Sequence, residues 1–466
     1  MSRADNAERL IPALRAAFDG QVITPDNTAY DQTRAVFYRA FDRRPSAIVQ
    51  VTDAAEVAKV VSVARDTGSE LAVRSGGHSV AGHSMSERGI VIDLSLMREV
   101  DIDVAQRTAW AETGLTAGEY TSATAAHGLV TGFGDTASVG IGGITLGGGV
   151  GYLARRHGLT IDDVLAADVV TADGRIVRTD AEQHPDLFWA IRGGGGNFGV
   201  VTRFQYRLHD VDTIVGGMLM LPATPELVTR FVAEAEAAPD ELTTICNLMV
   251  APPMPFVPAE HHGTLIMIAL LAHTGPIDAG ARVIAPFRAL ATPLVDTVQP
   301  MRYPELYEML EGGPESVAQE QARSTFIDHL DRSRAEAILE HLRTSTAPMA
   351  VAQLRVLGGA MARVPVDATA FAHRRRRIMI AAGAVYEDAA DTPVHTAWVD
   401  SFAAAVRQGA PGVYVNFLGD EGDARVREAY PEPTWDRLTR VKAAYDPTNL
   451  FRMNHNIPPS PDTPTA

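Results

Sequence analysis

Residues 74 to 79, Arg-Ser-Gly-Gly-His-Ser, set an imidazole directly behind two glycines. Without Cβ atoms, Gly76 and Gly77 let consecutive N–H groups converge on an anion such as a pyrophosphate, with the His78 ring beside whatever those amides hold. Taken alone, the stretch reads more simply as a tight turn with a surface histidine, since short glycine motifs recur without a ligand. A richer glycine segment, GFGDTASVGIGGITLGGGVGYLARRHGLTIDDV, runs from Gly132 to Val164. It contains G-x-G-x-x-A at Gly149, Gly151 and Ala154, but glycines rather than an apolar strand precede it, and Asp162 and Asp163 come too early to hold a ribose. A long loop whose amides face an extended cofactor fits better. A third run, Gly193 to Gly196 followed by Asn197, Phe198 and Gly199, is neither helix nor strand interior and fits close backbone approach to a ligand or another segment.

These segments need elements to position them. SAIVQV (46–51) predicts a buried strand; Asp53 with Glu56 forms a capping-box pattern for a helix that Gly68 stops; Leu71 to Val73 gives a second strand. The His78 stretch therefore sits at the end of a β–α–β unit, where α/β folds bind ligands. GIVIDL (89–94) and RTAWAE (107–112) continue as strands, TAGEYTSATAAHG as a helix ending at Gly128, and LAADVVT with RIVRTD as a hairpin around Asp173-Gly174. From Val211 to about Ala410, runs such as TTICNLMVA, GTLIMIALLA and IMIAAGAVY alternate with helical patterns, an α+β arrangement of antiparallel strands read as a substrate-binding domain. The last stretch returns to polar, turn-rich composition. Its Tyr414, Asn416, Asn454 and Asn456 could bond the edge of a planar heterocycle, or cap turns.

A chain of 466 residues predicts two large domains, or one interrupted by another. With 46% apolar and 21% charged residues it has the composition of a soluble globular protein. The start, MSRADNAERLIPALRAAF, lacks a signal-peptide core and no run is long enough to span a membrane, so a cytoplasmic location is expected. A net charge of −16 argues against nucleic-acid or anionic-membrane partners. The basic run Arg374 to Arg377 reads as a solvated cluster, Cys246 as a small core residue, and PPSPDTPTA as a disordered tail; no Cys/His cluster has zinc spacing, so no metal is expected.

RSGGHS (74–79), SVGIGGITLGGGVGYLARRHGLTIDDV (138–164), DLFWAIRGGGGNFGVVT (186–202), VYVNF (413–417) and YDPTNLFRMNHNIPP (445–459), in this order, resemble the FAD-linked oxidoreductases of the berberine bridge enzyme type, within the vanillyl-alcohol oxidase superfamily. The resemblance implies an α+β fold: a two-part PCMH-type FAD-binding domain (1–210), a substrate domain with a large antiparallel sheet (211–410), and a C-terminal return to the flavin (411–466). It implies FAD contacts at Arg74, Ser75, Gly76, Gly77, His78 and Ser79, at Gly134, Asp135, Thr136, Ser138, Val139, Gly140, Gly142 and Gly143, and at Val200, Tyr414, Asn416, Asn454 and Asn456. The histidine matching His78 carries FAD through the flavin 8α carbon. The cysteine that adds a second tether in many members is Thr136 here, so one covalent bond is expected. Members often have tyrosine, a frequent choice for the base, where this chain has Phe417; Tyr414, then His373 and Tyr386, are the remaining candidates. Val80 replaces a tyrosine that some plant members use to stack on substrate. The implied activity is oxidation of a small alcohol, amine or ring carbon with O₂ as acceptor, favoured by Val139 at a position treated as an oxygen gate. Two rivals remain: a dehydrogenase with another acceptor, and a flavoprotein that only binds a small molecule. Oligomeric state is left open.

Overall fold

The computed structural model describes residues 3–18, 22–253, 257–309 and 317–461; the end of the proline-rich tail lies outside the described residues. Ala47–Gln50, Ile90–Asp93 and Leu71–Arg74 run parallel in a four-stranded sheet whose far edge is the antiparallel strand Val22–Ile23. Ile90–Asp93 inserts between the two strands of the expected β–α–β unit, so Leu71–Arg74 is an edge strand and releases the chain directly into Ser75-Gly76-Gly77-His78. The connecting helix, Ala54–Thr67, begins where the Asp53 carboxylate accepts from Glu56 N–H and ends at Gly68 with φ 65°. The Glu56 carboxylate reaches Thr52 N–H rather than that of Asp53, one residue beyond a reciprocal box. Val57, Val60, Val61 and Ala64 form its buried stripe, packed with Val49, Ile90 and Ile92.

A five-stranded antiparallel sheet follows, in the order Val100–Asp103, Thr108–Glu112, Val200–Arg207, Val164–Val170, Ile176–Asp180. Its central strand starts immediately after the third glycine run. The glycine-rich stretch expected to be a long loop instead contains two short helices, Ile141–Gly147 and Ala154–His157. Buried Ile141 and Thr145 explain the first: the Thr145 hydroxyl lies 2.8 Å from that of Tyr206, and such packing overrides the poor helix propensity of glycine.

The large sheet is antiparallel, ordered Val295–Asp296, Thr213–Pro222, Leu265–His273, Leu242–Val250, Met349–Val356, Ile378–Tyr386, Gln319–Ile327, with Gln299–Arg302 also pairing Thr213–Pro222. Helices Pro225–Ala237, Ile277–Arg288, Arg332–Thr344 and Thr392–Val406 cover one face and bury Leu248, Leu354, Ile380 and, as expected, Cys246. On Gln319–Ile327, Gln321 and Arg323 bond Thr396 and Asp400 of that helix layer, whereas the Ser324 hydroxyl donates to Phe417 O. Alternation therefore turns Glu320, Ala322, Ser324 and Phe326 to the opposite face.

The basic run departs from a solvated cluster. Arg374 is fully buried and gives both ends of its guanidinium to Asp162, at 2.7 and 2.8 Å, with Thr369 Oγ1 at 2.6 Å. Bidentate neutralisation of this kind offsets the desolvation of a buried guanidinium, and Asp162, 212 residues away, supplies it. Arg377 remains exposed and pairs with Glu236. No helix among the described residues is long and apolar enough to cross a membrane.

Candidate active site

The three glycine segments and the C-terminal return converge on one cavity, with about 390 Å³ open to the centres of water molecules. Gly76 and Gly140 meet backbone to backbone: a Cβ on Gly76 would lie 2.2 Å from Gly140 N, and one on Gly140 would lie 2.2 Å from Gly76 N and from Ser75 Oγ. Only glycine permits this approach, which the Ser75 hydroxyl stabilises by donating to Thr113 O at 2.5 Å. Gly143 is the opposite case. A Cβ there would meet nothing within 4 Å, because its Cα faces the open cavity.

His78 stands on the cavity wall, stacked on Phe37 with centroids 4.3 Å apart, its Nε2 3.0 Å from Ser138 Oγ. Burial lowers its pKa to about 4, so the ring is neutral at pH 7. Across the cavity, the Tyr414 oxygen accepts from Gly149 N–H at 2.9 Å and from the Asn416 amide at 2.8 Å, and that amide also donates to Ile144 O. The phenol thus clamps the second glycine segment to the C-terminal return. Asn454 Nδ2 donates to Phe451 O, whereas its Oδ1 is buried with no partner.

A fully buried ion pair fixes the third glycine run. Lys442 Nζ donates to Asn197 O (2.8 Å), Asp446 Oδ2 (2.7 Å) and Phe451 O (3.0 Å), while the Asn197 amide bonds Gly194 O, His455 O and Ile457 N–H. All three ammonium protons are used, which is what makes the burial affordable.

Ser75 to Ser79, Gly134 to Thr136, Val139, Gly140, Gly142, Gly143, Val200, Tyr414, Asn416 and Asn454 all line the cavity. Arg74, Ser138 and Asn456 are not on its wall. Arg74 is held by the buried Asp93 carboxylate, and Ser138 acts on the wall through His78. Asn456 Oδ1 is buried without a partner. His373 and Tyr386, expected as weaker candidates for the base, are not brought to the cavity either. His373 Nε2 bonds Glu428 O at 2.9 Å beside Phe326, and the Tyr386 hydroxyl donates to Thr392 Oγ1 at 2.8 Å. Tyr386 shares strand parity with Ile380 and Ala382, so the pleat turns it to the helix layer.

Three groups at this site escape sequence reasoning. Tyr38 lines the cavity edge-on to Phe37 and its hydroxyl interacts with the Glu320 carboxyl, whose pKa is raised by burial. Nothing in the sequence around Tyr38 signals this; residues 37 to 39 reach Glu320 only because they pair with Val317. Buried Arg355 donates to Asp135 Oδ2 (2.7 Å), Val150 O (3.0 Å) and Gln353 Oε1 (2.7 Å), with its guanidinium 5.2 Å from the Phe417 ring centroid. Its only sequence signal is polar residues at alternate positions, Gln353 and Arg355, in an otherwise apolar strand.

Glycine-only contacts, an open wall at Gly143, an unpartnered Asn454 acceptor and a neutral imidazole fit a long cofactor with phosphate and heterocyclic parts. With the two-part fold, they define an FAD-linked oxidoreductase. A family model described as an FAD binding domain matches residues 45–180, and one described as berberine and berberine like matches 413–458. The chain is 30% identical over 455 residues to an FAD-linked oxidoreductase of Bacillus subtilis (strain 168), YvdP, spanning 95% of this chain and 98% of the relative. It is 29% identical over 461 residues to (R)-6-hydroxynicotine oxidase of Paenarthrobacter nicotinovorans, spanning 95% and 97%. The crystal structure of 6-hydroxy-D-nicotine oxidase from Arthrobacter nicotinovorans matches with a TM-score of 0.86 at 28% identity, over 95% of this chain and 98% of that one. The chain belongs to the FAD-linked oxidoreductases of the berberine bridge enzyme type.

Proposed function

We propose that the protein is an FAD-dependent oxidase of small organic alcohols or amines, with residues 1–210 and 411–466 holding FAD and residues 211–410 covering the substrate. The observation that carries this reading is His78: a neutral ring on the wall of a cavity built from glycine-only contacts. Bound FAD would supply the redox chemistry, a two-electron acceptor for the substrate that O₂ could reoxidise to give, with two protons, hydrogen peroxide. His78 is the single covalent anchor, since Thr136 offers no thiol for a second, and Ser138 orients its ring. Val139 lines the cavity at the position associated with oxygen access.

Oxidation of an alcohol or amine also releases the O–H or N–H proton. Tyr38 takes that proton at its phenol oxygen and passes its own to the Glu320 carboxylate, a relay that burial favours by raising the basicity of Glu320. Tyr414 is less suited to this task, because its oxygen already accepts two hydrogen bonds; its proton remains a donor toward bound groups. A peroxide-coupled screen of alcohols and amines against the FAD-loaded protein tests the reading: a substrate should bleach the flavin anaerobically and give one peroxide per turnover in air. Bleaching without peroxide would make the protein a dehydrogenase, and spectral shifts without bleaching would make it a binding protein.

A further inference from the structure

A second recess, distinct from the flavin cavity, lies where the paired ends of Thr108–Glu112 and Val200–Arg207 meet the helix Ala154–His157. It is open, about 500 Å³ in volume, and Arg107, Arg156, His157, Arg207 and His209 line it. Two carboxylates oppose these groups. Asp163 is shared by His209 (2.8 Å) and Arg207 (4.0 Å), and Asp210 pairs with Arg107 at 2.8 Å. Arg156 has no carboxylate partner among the described residues, although it is only partly exposed, and its Nη1 is buried with no hydrogen bond. The neighbouring His157 Nε2 is likewise buried and unpartnered, its ring stacked on His209 at 3.8 Å. Three arginines against two carboxylates leave a local positive excess in a chain whose net charge is −16.

A partly buried guanidinium with no carboxylate partner keeps a charge and a buried N–H that no group among the described residues matches. We propose that this recess binds a small oxyanion of the phosphate class, free or as the terminal group of a metabolite. A tetrahedral oxyanion offers several acceptors to donors that come from different elements, here Arg156 and Arg207, and its hydroxyl or oxygen can satisfy His157 Nε2 in either tautomer. Burial beside Arg156 and His209 holds the His157 pKa down to about 3, so the ring meets the anion as a neutral hydrogen-bonding group.

The test is calorimetric titration of the FAD-loaded protein, whose flavin-phosphate contacts are filled, with inorganic phosphate and separately with glycerol 3-phosphate, against chloride of equal ionic strength. Saturable binding of phosphate but not chloride is expected, with unchanged flavin absorbance; tighter binding of the ester would identify a metabolite group, and equal or weaker binding would identify free phosphate. Arg156→Gln should weaken binding about tenfold or more, and Arg207→Gln by less, because Asp163 already shares Arg207. Because it removes an unpaired charge, Arg156→Gln should keep or raise the melting temperature in phosphate-free buffer. His157→Leu, which leaves both arginines in place, should also weaken binding and provides a second variant. Heats no larger than those of chloride, or equal affinity in Arg156→Gln, would overturn the proposal.

Discussion

Substituting Gly143 by alanine separates the cost to the protein from the cost to its cofactor. Gly143 sits inside the helix Ile141–Gly147, where alanine is favoured over glycine by about 0.5–1 kcal/mol. The added Cβ meets no protein atom within 4 Å, so no steric term opposes that gain in the cofactor-free chain. On the proposed placement of FAD the methyl would enter the cofactor's space, and overpacking of this kind costs about 1–3 kcal/mol, or roughly 5- to 150-fold in affinity. Gly143→Ala should therefore give cofactor-free protein that melts at or above the wild-type temperature but carries less flavin. Flavin-to-protein absorbance ratios after loading at limiting FAD, with melting curves of the cofactor-free forms, measure both. Gly76→Ala is the control of opposite sign: its Cβ would lie 2.2 Å from Gly140 N, so the cofactor-free fold itself must lose stability. Full flavin loading of Gly143→Ala, or a lowered melting temperature without FAD, would refute the placement of this wall.

Lys442→Met should cost about 3–5 kcal/mol, because it leaves the Asp446 carboxylate buried and unpaired; an unchanged urea midpoint would remove the pair from the account. Glu320→Gln should keep flavin content while lowering peroxide turnover by about 10²- to 10⁴-fold, and wild-type turnover would exclude the Tyr38 relay. His83, His373 and His455 are held neutral by burial, with pKa values near 3, 4 and 4. Above pH 6.5 both folded and unfolded states leave them uncharged. Below it only the unfolded chain takes up their protons, so stability should fall between pH 6.5 and about 4, by about 1.4 kcal/mol per unit for each histidine, as followed by unfolding midpoints. A flat profile over that window would show that these rings open to solvent.

Local chemistry made part of this site legible. The glycine pairs, His78 and the amides of the C-terminal return announce themselves because close approach and hydrogen bonding restrict residue type at each position. Caps and turns were equally readable: the Asp53 carboxylate starts the first connecting helix and Gly68, free of a Cβ at φ 65°, ends it. What stayed hidden was pairing over distance. Arg374 looks like one of four solvated arginines until Asp162 arrives from the second glycine segment, and Tyr38 carries no signal until strand pairing brings Glu320 to it. Parity also had to be seen: Tyr386 is a plausible phenol in sequence, but the pleat sends it to the helix layer. The insertion of Ile90–Asp93 between the β–α–β strands is of the same kind, a choice made by sheet assembly rather than by either strand.

Acid precipitation of the purified protein, followed by absorbance of pellet and supernatant, tests the central claim most directly. A flavin joined to His78 should stay with the wild-type pellet, which remains yellow, whereas His78→Ala should release all of its colour to the supernatant. A colourless wild-type pellet, or a His78→Ala pellet that stays yellow, would contradict the assignment of His78 as the covalent anchor.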